Sequence, residues 1–378
     1  MALIQYITQI NVEAGALKLL AAECQRVGIK RPMIVSDRGV VAAGIVDKVL
    51  KMLQGVDATV FAETPSNPTE AAIRLATSQC KASGCDGLIA VGGGSSIDCA
   101  KGIAIAATHE GPLKSFATIE GGTGLITARV LPIIAIPTTS GTGSEVARGA
   151  IIIVDDKRKL GFHSWDLVPK SAICDPELTL GLPPLLTAAT AMDAIAHCIE
   201  TYLAPSFNPP ADGIALDGLG RAWGNIERAT KNGADIDARL NLMCASFQGA
   251  LAFQKGLGCV HSLSHSLGGL LPGLHHGTLN AVFLPTVLRF NSQAPSVQKD
   301  RRMEELARVM GVNSPDAVPG AIRDMSARLG LPVDLRSMGV ERKHFSAIVS
   351  GAMADHCHLT NPRRATADDY MGMLEETL

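Results

Sequence analysis

Short β-rich runs alternate with helical segments in the first half of the chain, and this pattern limits the possible folds more than any other feature. The runs lie at residues 31–37, 57–61, 87–94, 131–139 and 149–156. Helices of about ten or more residues between strands allow successive strands to run in the same direction. The first half is therefore predicted to form a parallel sheet covered by helices.

The second half has a different pattern. From about Leu182 onward it consists of long stretches with helical periodicity, such as residues 185–204 and 211–230, and no β-rich run is apparent after Val154. The Pro-rich turn at 181–184 marks the predicted boundary. A length of 378 residues also favours two domains. We predict an α/β domain over residues 1–182 and an all-α domain over residues 183–378.

Charge, hydropathy and cysteine usage exclude several classes of partner. The net charge of -2 arises from interspersed signs, so binding of nucleic acid has little electrostatic support, and a small-molecule partner is expected. The N-terminal segment lacks the features of a signal peptide, and no apolar run is long enough to span a membrane. The nine cysteines are scattered and expected to be reduced. These features predict a cytoplasmic protein without a membrane partner.

A glycine-rich turn follows the β-rich run at 87–94. Ser95 is the predicted cap of a helix whose apolar positions continue to Ala107. Backbone N–H groups at Gly93, Gly94 and Ser95 would then point at a diphosphate from a helix N-terminus. The alternative is a tight turn without a ligand, because the stretch lacks the full G-x-G-x-x-G fingerprint.

A second polar loop and an aspartate strengthen the prediction of a nucleotide site. The loop at 137–147 follows another β-rich run and offers the hydroxyl groups of Thr138, Thr139, Ser140 and Thr142. Asp37 ends the run at 31–37, where a carboxylate can bind a ribose 2′-OH and repel a 2′-phosphate. Asp37 would thus favour NAD over NADP; its alternative role is a turn or helix cap.

Four histidines lie within the uncharged stretch GCVHSLSHSLGGLLPGLHHG at 258–277. On helices, Asp193 and His197 share a face, as do His261 and His265. A buried aspartate is costly without a partner or a metal, and one carboxylate with three imidazoles suits Fe(II), Zn(II) or a similar ion. The alternative for each histidine is a hydrogen-bonded core residue. HSLSH lacks the glutamate of the metalloprotease motif H-E-x-x-H.

Taken together, the motifs resemble those of the iron-containing (group III) alcohol dehydrogenases. The motifs are GGGSSIDCAK, PTTSGTGSEV, DAIAHCIE, VHSLSHSLG and HHGTLNAVFLP, at residues 92–101, 137–146, 193–200, 260–268 and 275–285. The resemblance covers the whole chain. It implies a Rossmann-like dinucleotide-binding domain, an all-α domain, an architecture like that of dehydroquinate synthase, and at least a homodimer.

The resemblance also implies a metal site. It assigns the divalent metal, Fe²⁺ with Zn²⁺ as the alternative, to Asp193, His197, His261 and His276. His276 lies fifteen residues after His261, one more than the family pattern leads us to expect, so His275 is an alternative fourth ligand. A further family histidine matches His265, close to the metal but not bound to it, and is the expected proton relay.

The implied reaction is hydride transfer between an alcohol and the nicotinamide of NAD. A metal held by one carboxylate and three neutral imidazoles keeps positive charge, so it favours the alkoxide and polarises the aldehyde. Lys159 matches a family lysine beside the nicotinamide. The predicted cofactor-binding residues are Asp37, Gly93, Gly94, Ser95, Asp98, Thr138, Thr139, Thr142 and Lys159.

The substrate is predicted from several segments that resemble family members acting on 4-hydroxybutyrate. These segments are residues 63–71, 147–156, 159–172, 253–265 and 273–282. The reaction would interconvert 4-hydroxybutyrate and succinate semialdehyde. A carboxylated substrate needs a cation, and Arg148, His163 and Lys255 are the candidates, each of which can equally be a surface or interdomain charge. The alternatives are a dehydrogenase of an uncharged primary alcohol or diol, a maleylacetate reductase, and a non-catalytic nucleotide- or metal-binding module.

Overall fold

The computed structural model describes residues 4–378, which divide into two compact units. The sheet unit comprises Tyr6–Thr139 and Gly143–Leu182. The helical unit comprises Ile4 and Gln5, the short loop Ser140–Thr142, and Pro183–Leu378. All nine cysteines are free, and most are buried.

The sheet unit contains eight strands and five α-helices within its described residues. The strands are β1 (Gln9–Val12), β2 (Pro32–Val35), β3 (Thr59–Phe61), β4 (Gly87–Gly92), β5 (Ile133–Pro137), β6 (Gly149–Ile153), β7 (Lys159–His163) and β8 (Ser171–Cys174). The helices are α1 (Leu20–Val27), α2 (Arg38–Ala42), α3 (Ile45–Met52), α4 (Glu70–Ala82) and α5 (Gly94–Thr108).

Six strands form one parallel sheet in the order β1-β8-β5-β4-β2-β3. The chain passes from β2 outward to β3 and then returns to the other side of β2 as β4. The strand order therefore reverses between β2 and β4, which is where open parallel sheets bind ligands at the carboxyl ends of their strands.

The central strands are buried on both faces, which explains their continuous apolar character. In β2, Met33 and Val35 face one core, which includes Ile97 of α5. Ile34, which alternates with them, faces the other core, which includes Val49 of α3. The structure thus confirms the predicted α/β fold with a parallel sheet.

Two predictions for this unit were wrong. The run at 149–156 does not join the parallel sheet, because β6 pairs antiparallel with β7 in a separate two-stranded hairpin. Strands also continue after Val154, since β8 pairs with both β1 and β5. β1 and β8 each have only four residues, too few to show a periodic pattern.

The helical unit confirms the predicted all-α second half. Its helices are α6 (Pro184–Leu203), α7 (Pro209–Lys231), α8 (Ile236–Ala252), α9 (Cys259–Leu270), α10 (His276–Asn291), α11 (Pro295–Lys299), α12 (Arg302–Met310), α13 (Val318–Arg328), α14 (Phe345–Ala354) and α15 (Ala367–Thr377). α6 is buried on every side from Thr187 to Leu203. Within residues 4–378, no helix is long and apolar enough to span a membrane.

Candidate functional site

Three helices of the helical unit bring one carboxylate and three imidazoles together. Asp193 and His197 lie one turn apart on α6, His261 lies on α9, and His276 is the first residue of α10. Asp193 Oδ1 is 3.7 Å from His197 Nε2, 3.7 Å from His261 Nε2 and 3.5 Å from His276 Nε2. Ligand atoms of a tetrahedral site with bonds of about 2.1 Å lie about 3.4 Å apart. These distances from Asp193 Oδ1 fit a single divalent ion, and the ligand atoms of Asp193, His197 and His261 also all lie within 4.8 Å of one another.

The Nδ1 atoms of two of these rings are held by acceptors. His197 Nδ1 is 3.2 Å from the Gly141 carbonyl oxygen, and His261 Nδ1 is 2.5 Å from Glu200 Oε2. A carbonyl or carboxylate oxygen can only accept, so Nδ1 donates its hydrogen to it in both rings. In the neutral form of each ring, Nε2 then has a lone pair on the Asp193 side, which is the arrangement that metal-binding histidines need.

The charges in this cluster also suit a cation. Asp193 is 2% exposed, and its ion-pair partners within residues 4–378 are the three histidines alone. Although burial raises its pKa, His197 and the other two imidazoles outweigh burial and hold it well below the usual range. Burial lowers the pKa of His197 to about 4, so this ring is neutral at pH 7. The buried carboxylate thus faces imidazoles rather than a lysine or an arginine.

His261 differs from His197 because a second carboxylate lies beside it. Burial lowers its pKa, but the charges of Glu200 and Asp193 outweigh burial and raise the pKa to about 9. Without a metal, the His261 ring therefore carries a proton on both nitrogens at pH 7. A metal at Nε2 would take the place of the proton on that nitrogen.

The geometry distinguishes His276 from its neighbour. Within the described chain, His276 approaches the Asp193 carboxylate closely, whereas His275 makes no such contact and serves as the N-cap residue of α10. His276 Nδ1 is also 3.3 Å from Ser264 Oγ. These contacts favour His276 over His275 as the fourth ligand.

Three residues near the cluster were not identified from the sequence. Glu200 lies one turn after His197 in the motif DAIAHCIE, and this i,i+3 spacing, which places both side chains on one helix face, is the signal in the sequence that identifies it. Asn280 Nδ2 lies 2.7 Å from Asp193 Oδ1, 3.3 Å from His261 Nε2 and 3.2 Å from His276 Nε2. Its amide therefore donates at the place where the lone pairs of the cluster converge. The third residue, Asp355, contacts His265.

His265 lies beside this cluster, as predicted. It follows His261 by one turn on α9, and its ring stacks on that of His276 with centroids 5.3 Å apart. Its Nδ1 is 3.0 Å from Asp355 Oδ2.

The sheet unit places several predicted cofactor-binding residues at the carboxyl ends of neighbouring strands. Asp37 follows β2, Gly93 and Gly94 follow β4, and Thr138 and Thr139 follow β5. Gly93 is the N-cap residue of α5 and, as a glycine, has no side chain to cap the helix. Its first N–H groups are thus suited to an anion.

The prediction that Ser95 caps α5 was wrong. The helix begins one residue earlier, at Gly94, and the Ser95 hydroxyl donates to the Ser66 carbonyl oxygen instead. Gly92 has a φ of 151°, and a Cβ there would lie 2.4 Å from Ser96 Oγ. The turn therefore requires glycine at this position.

Asp37 takes the helix-cap role that the sequence had left open. Its Oδ1 accepts from Val40 N at 3.0 Å as the N-cap of α2, while Ser96 Oγ lies 3.4 Å from its Oδ2. Contact with a ribose stays a prediction.

The other predicted cofactor-binding residues have defined partners. Asp98 accepts from Ser144 Oγ at 2.6 Å and from Ile151 N at 2.9 Å, so both of its oxygens fasten α5 to the following loop and strand. Lys159 Nζ donates to Asn67 Oδ1 at 2.9 Å. Thr142 lies in the helical unit.

The three predicted substrate cations have different surroundings. The Arg148 guanidinium lies over the Trp165 ring, 5.0 Å from its centroid, and forms no ion pair within residues 4–378. Burial lowers its pKa. Because no carboxylate within residues 4–378 pairs with it, the positive charge of Arg148 is unbalanced. His163 Nδ1 is 2.8 Å from Thr118 Oγ1.

Lys255 does not fit its predicted role. Its ammonium group is fully buried, pairs with Asp212, and donates to the Tyr202 carbonyl oxygen at 3.0 Å. Its charge is already balanced inside the helical unit, which argues against binding of a substrate carboxylate.

Comparison with known proteins agrees with a metal-dependent dehydrogenase. The chain matches the iron-containing alcohol dehydrogenase family over residues 8–176 and the C-terminal region of the Fe-containing alcohol dehydrogenase family over residues 187–378. It belongs to the iron-containing alcohol dehydrogenase family.

Individual relatives match over the whole chain. The chain is 64% identical to a 4-hydroxybutyrate dehydrogenase of Cupriavidus necator, with 100% of each chain covered. Among solved structures, a 1,3-propanediol oxidoreductase is 33% identical with a TM-score of 0.93, and 100% of each chain is covered. A sulfoacetaldehyde reductase of Bifidobacterium kashiwanohense in complex with NAD⁺ is 26% identical with a TM-score of 0.89, covering 100% of this chain and 99% of that one.

Proposed function

We propose that this protein is an NAD-dependent, metal-assisted dehydrogenase that interconverts 4-hydroxybutyrate and succinate semialdehyde. The observation that carries the reaction type is the convergence of Asp193 Oδ1 with three imidazole Nε2 atoms in the helical unit. The substrate rests on the 64% identity to the 4-hydroxybutyrate dehydrogenase of Cupriavidus necator. Membership of the family supports iron as the metal.

In this proposal, Asp193, His197, His261 and His276 hold the divalent ion. When bound, the ion stabilises negative charge on the substrate oxygen. The buried carboxylate fixes the charge of the site, and Glu200 and the Gly141 carbonyl hold two rings with Nε2 available. His265 relays the hydroxyl proton.

The sheet unit would bind the dinucleotide. The first turn of α5 at Gly93, Gly94 and Ser95, where the N-cap residue has no side chain, is suited to the diphosphate. Asp37 would accept from the ribose, and Lys159 would lie beside the nicotinamide. The NAD⁺ complex of the structurally similar sulfoacetaldehyde reductase supports this choice of cofactor.

Elemental analysis tests the metal site. We expect one divalent metal per chain, loss of NADH formation after chelation, and recovery after metal is added back. His276→Ala should empty the site, whereas the matched variant His275→Ala should keep its metal. If His275→Ala empties the site and His276→Ala does not, the fourth ligand is His275. Full turnover by metal-free protein would refute the assignment of the reaction type.

The substrate is tested by comparing 4-hydroxybutyrate with 1-butanol. A charge-assisted pair contributes about 1.5–3 kcal/mol, or on the order of ten- to a hundred-fold in kcat/KM. Arg148→Ala should remove the preference for 4-hydroxybutyrate over 1-butanol while leaving 1-butanol turnover unchanged. Arg129→Ala, a change at an exposed arginine, should keep the preference for 4-hydroxybutyrate. Equal kcat/KM for both substrates in the unmodified enzyme would favour an uncharged alcohol or diol as the natural substrate.

We also propose a homodimer or larger homo-oligomer in the cytoplasm. β1 is an edge strand of the sheet, and its last residue, Val12, is 38% exposed. Unpaired edge strands can pair with a second chain. Free cysteines support a reducing compartment. Light scattering of the purified protein measures the assembly, and a monomer would contradict it.

A further inference from the structure

An aspartate outside the predicted site residues contacts His265. Asp355 follows α14 and lies next to a buried thiol, Cys357. Asp355 Oδ2 is 3.0 Å from His265 Nδ1, and the two side chains are 14% and 15% exposed. The pair is thus largely shielded from water, where such a hydrogen bond is stronger than at the surface.

The other oxygen of Asp355 is also occupied. Oδ1 accepts from Cys357 N at 2.8 Å and lies 3.4 Å from Ser262 Oγ. Because the backbone N–H can only donate, this oxygen has a fixed role as an acceptor. The carboxylate is therefore held from both sides and cannot rotate without losing a bond.

Two uses of this cluster can be considered. Ligand atoms of His265, Asp355 and Cys357 lie within 4.8 Å of one another, as they would in a second metal site. Against that use, the Cys357 thiol already contacts another side chain, with its Sγ 3.5 Å from His356 Nε2. Both carboxylate oxygens are also committed to hydrogen bonds. The contacts favour a hydrogen-bonded dyad over a metal site.

We propose that Asp355 is a positioning residue that fixes the ring orientation and tautomer of His265. A carboxylate accepts only, so the neutral ring carries its hydrogen on Nδ1 and its lone pair on Nε2. The relay nitrogen of His265 is then always Nε2. This inference rests on the proposed function, because the relay of a hydroxyl proton is the step that the orientation serves.

Asp355→Asn separates the two roles of the carboxylate, which accepts a hydrogen bond from Cys357 N through one oxygen and from His265 Nδ1 through the other. Cys357 N–H needs an acceptor, so the single amide oxygen should remain on that side and keep the cap of the turn at His356–Thr360. The amide NH₂ then faces His265 Nδ1 and demands a lone pair there. The ring must adopt the other tautomer, with its hydrogen on Nε2.

A double-mutant cycle tests the proposal in the metal-loaded enzyme. Asp355→Asn should lower kcat by about 100-fold, with KM, metal content and melting temperature little changed. In a His265→Ala background, the same change should alter kcat by less than about twofold, because Asp355 acts only through His265. Asp235→Asn, which alters another N-cap aspartate in the helical unit, is the matched control and should leave kcat unchanged. An equal loss in both backgrounds would overturn the proposal.

A second measurement does not depend on turnover. In ¹⁵N-histidine spectra of the full chain, assigned with His265→Gln, the neutral His265 ring should be protonated at Nδ1 and change tautomer in Asp355→Asn. An unchanged tautomer would overturn the positioning role. If no alcohol is oxidised, the proposed function fails, while these spectra still decide the role of Asp355.

Discussion

Replacing Glu200 with glutamine should weaken metal binding without unfolding the protein. Both oxygens of the buried carboxylate accept hydrogen bonds, Oε1 from Val260 N at 2.8 Å and Oε2 from His261 Nδ1 at 2.5 Å. Glutamine offers only one oxygen. Either Val260 N at the start of α9 loses its acceptor, or His261 meets an NH₂ group and shifts its hydrogen to Nε2. In the second case, Nε2 cannot bind a metal.

The magnitude follows from the contact that is lost. A hydrogen bond to a charged group contributes about 1.5–3 kcal/mol, and both side chains here are almost fully buried. Since about 1.4 kcal/mol corresponds to a factor of ten, the metal dissociation constant should rise about 10- to 100-fold. Glu227→Gln, a change at a partly exposed salt bridge with Arg328, should leave the constant unchanged.

The assay is a competition between a chelator and protein that has been stripped of metal and reloaded. Melting temperatures of the metal-free proteins separate lost affinity from lost stability. A dissociation constant within about twofold of the unmodified value, in a protein of unchanged stability, would refute the argument that Glu200 orients His261.

Three further outcomes are expected. Asp37→Gly should improve the use of NADP relative to NAD, which paired kcat/KM values would reveal; unchanged selectivity would leave Asp37 only its cap role. Lys255→Ala should lower the free energy of unfolding by about 1.5–3 kcal/mol, because it removes the hydrogen bonds of a buried ammonium group to Asp212 and the Tyr202 carbonyl while Arg302 keeps Asp212 paired, and a purely substrate-specific defect would contradict this. Burial raises the pKa of Glu145 from 4.5 to about 7. Ionisation of Glu145 therefore lowers the free energy of unfolding, and this loss is absent below pH 4.5 and complete above pH 7. Glu145→Gln should therefore stabilise the protein by up to about 3 kcal/mol at pH 8 and by little at pH 4.5 in urea unfolding, and an equal effect at both pH values would exclude this cause.

Sequence reasoning succeeded where the relevant contact is local. The pairs Asp193–His197 and His261–His265 each lie within one helix, so helical spacing alone places their side chains on one face. The buried strands β2, β4 and β5 could likewise be predicted, because burial on both faces requires continuous apolar runs.

The missed features depend on contacts between distant parts of the chain. Glu200 and His261 are 61 residues apart, and Asp355 and His265 are 90 residues apart, so no local pattern connects them. Lys255 shows the same difficulty, since its position beside an active-site motif gave no indication that Asp212 neutralises it. The strand β6 has the composition of a sheet strand, yet only the pairing with β7 shows that it forms a hairpin.

The burial of α6 has a consequence for how enzymes of this architecture can diversify. A helix enclosed on every side tolerates few changes of side-chain volume, because each one displaces its neighbours. Asp193 and His197 of the proposed metal site belong to such a helix, so substitutions there should disturb the reaction for every alcohol alike. Altered substrate range should instead arise through loops and half-buried side chains such as Arg148. Libraries intended to change specificity should leave Thr187–Leu203 intact and randomise the loops and the half-buried positions such as Arg148.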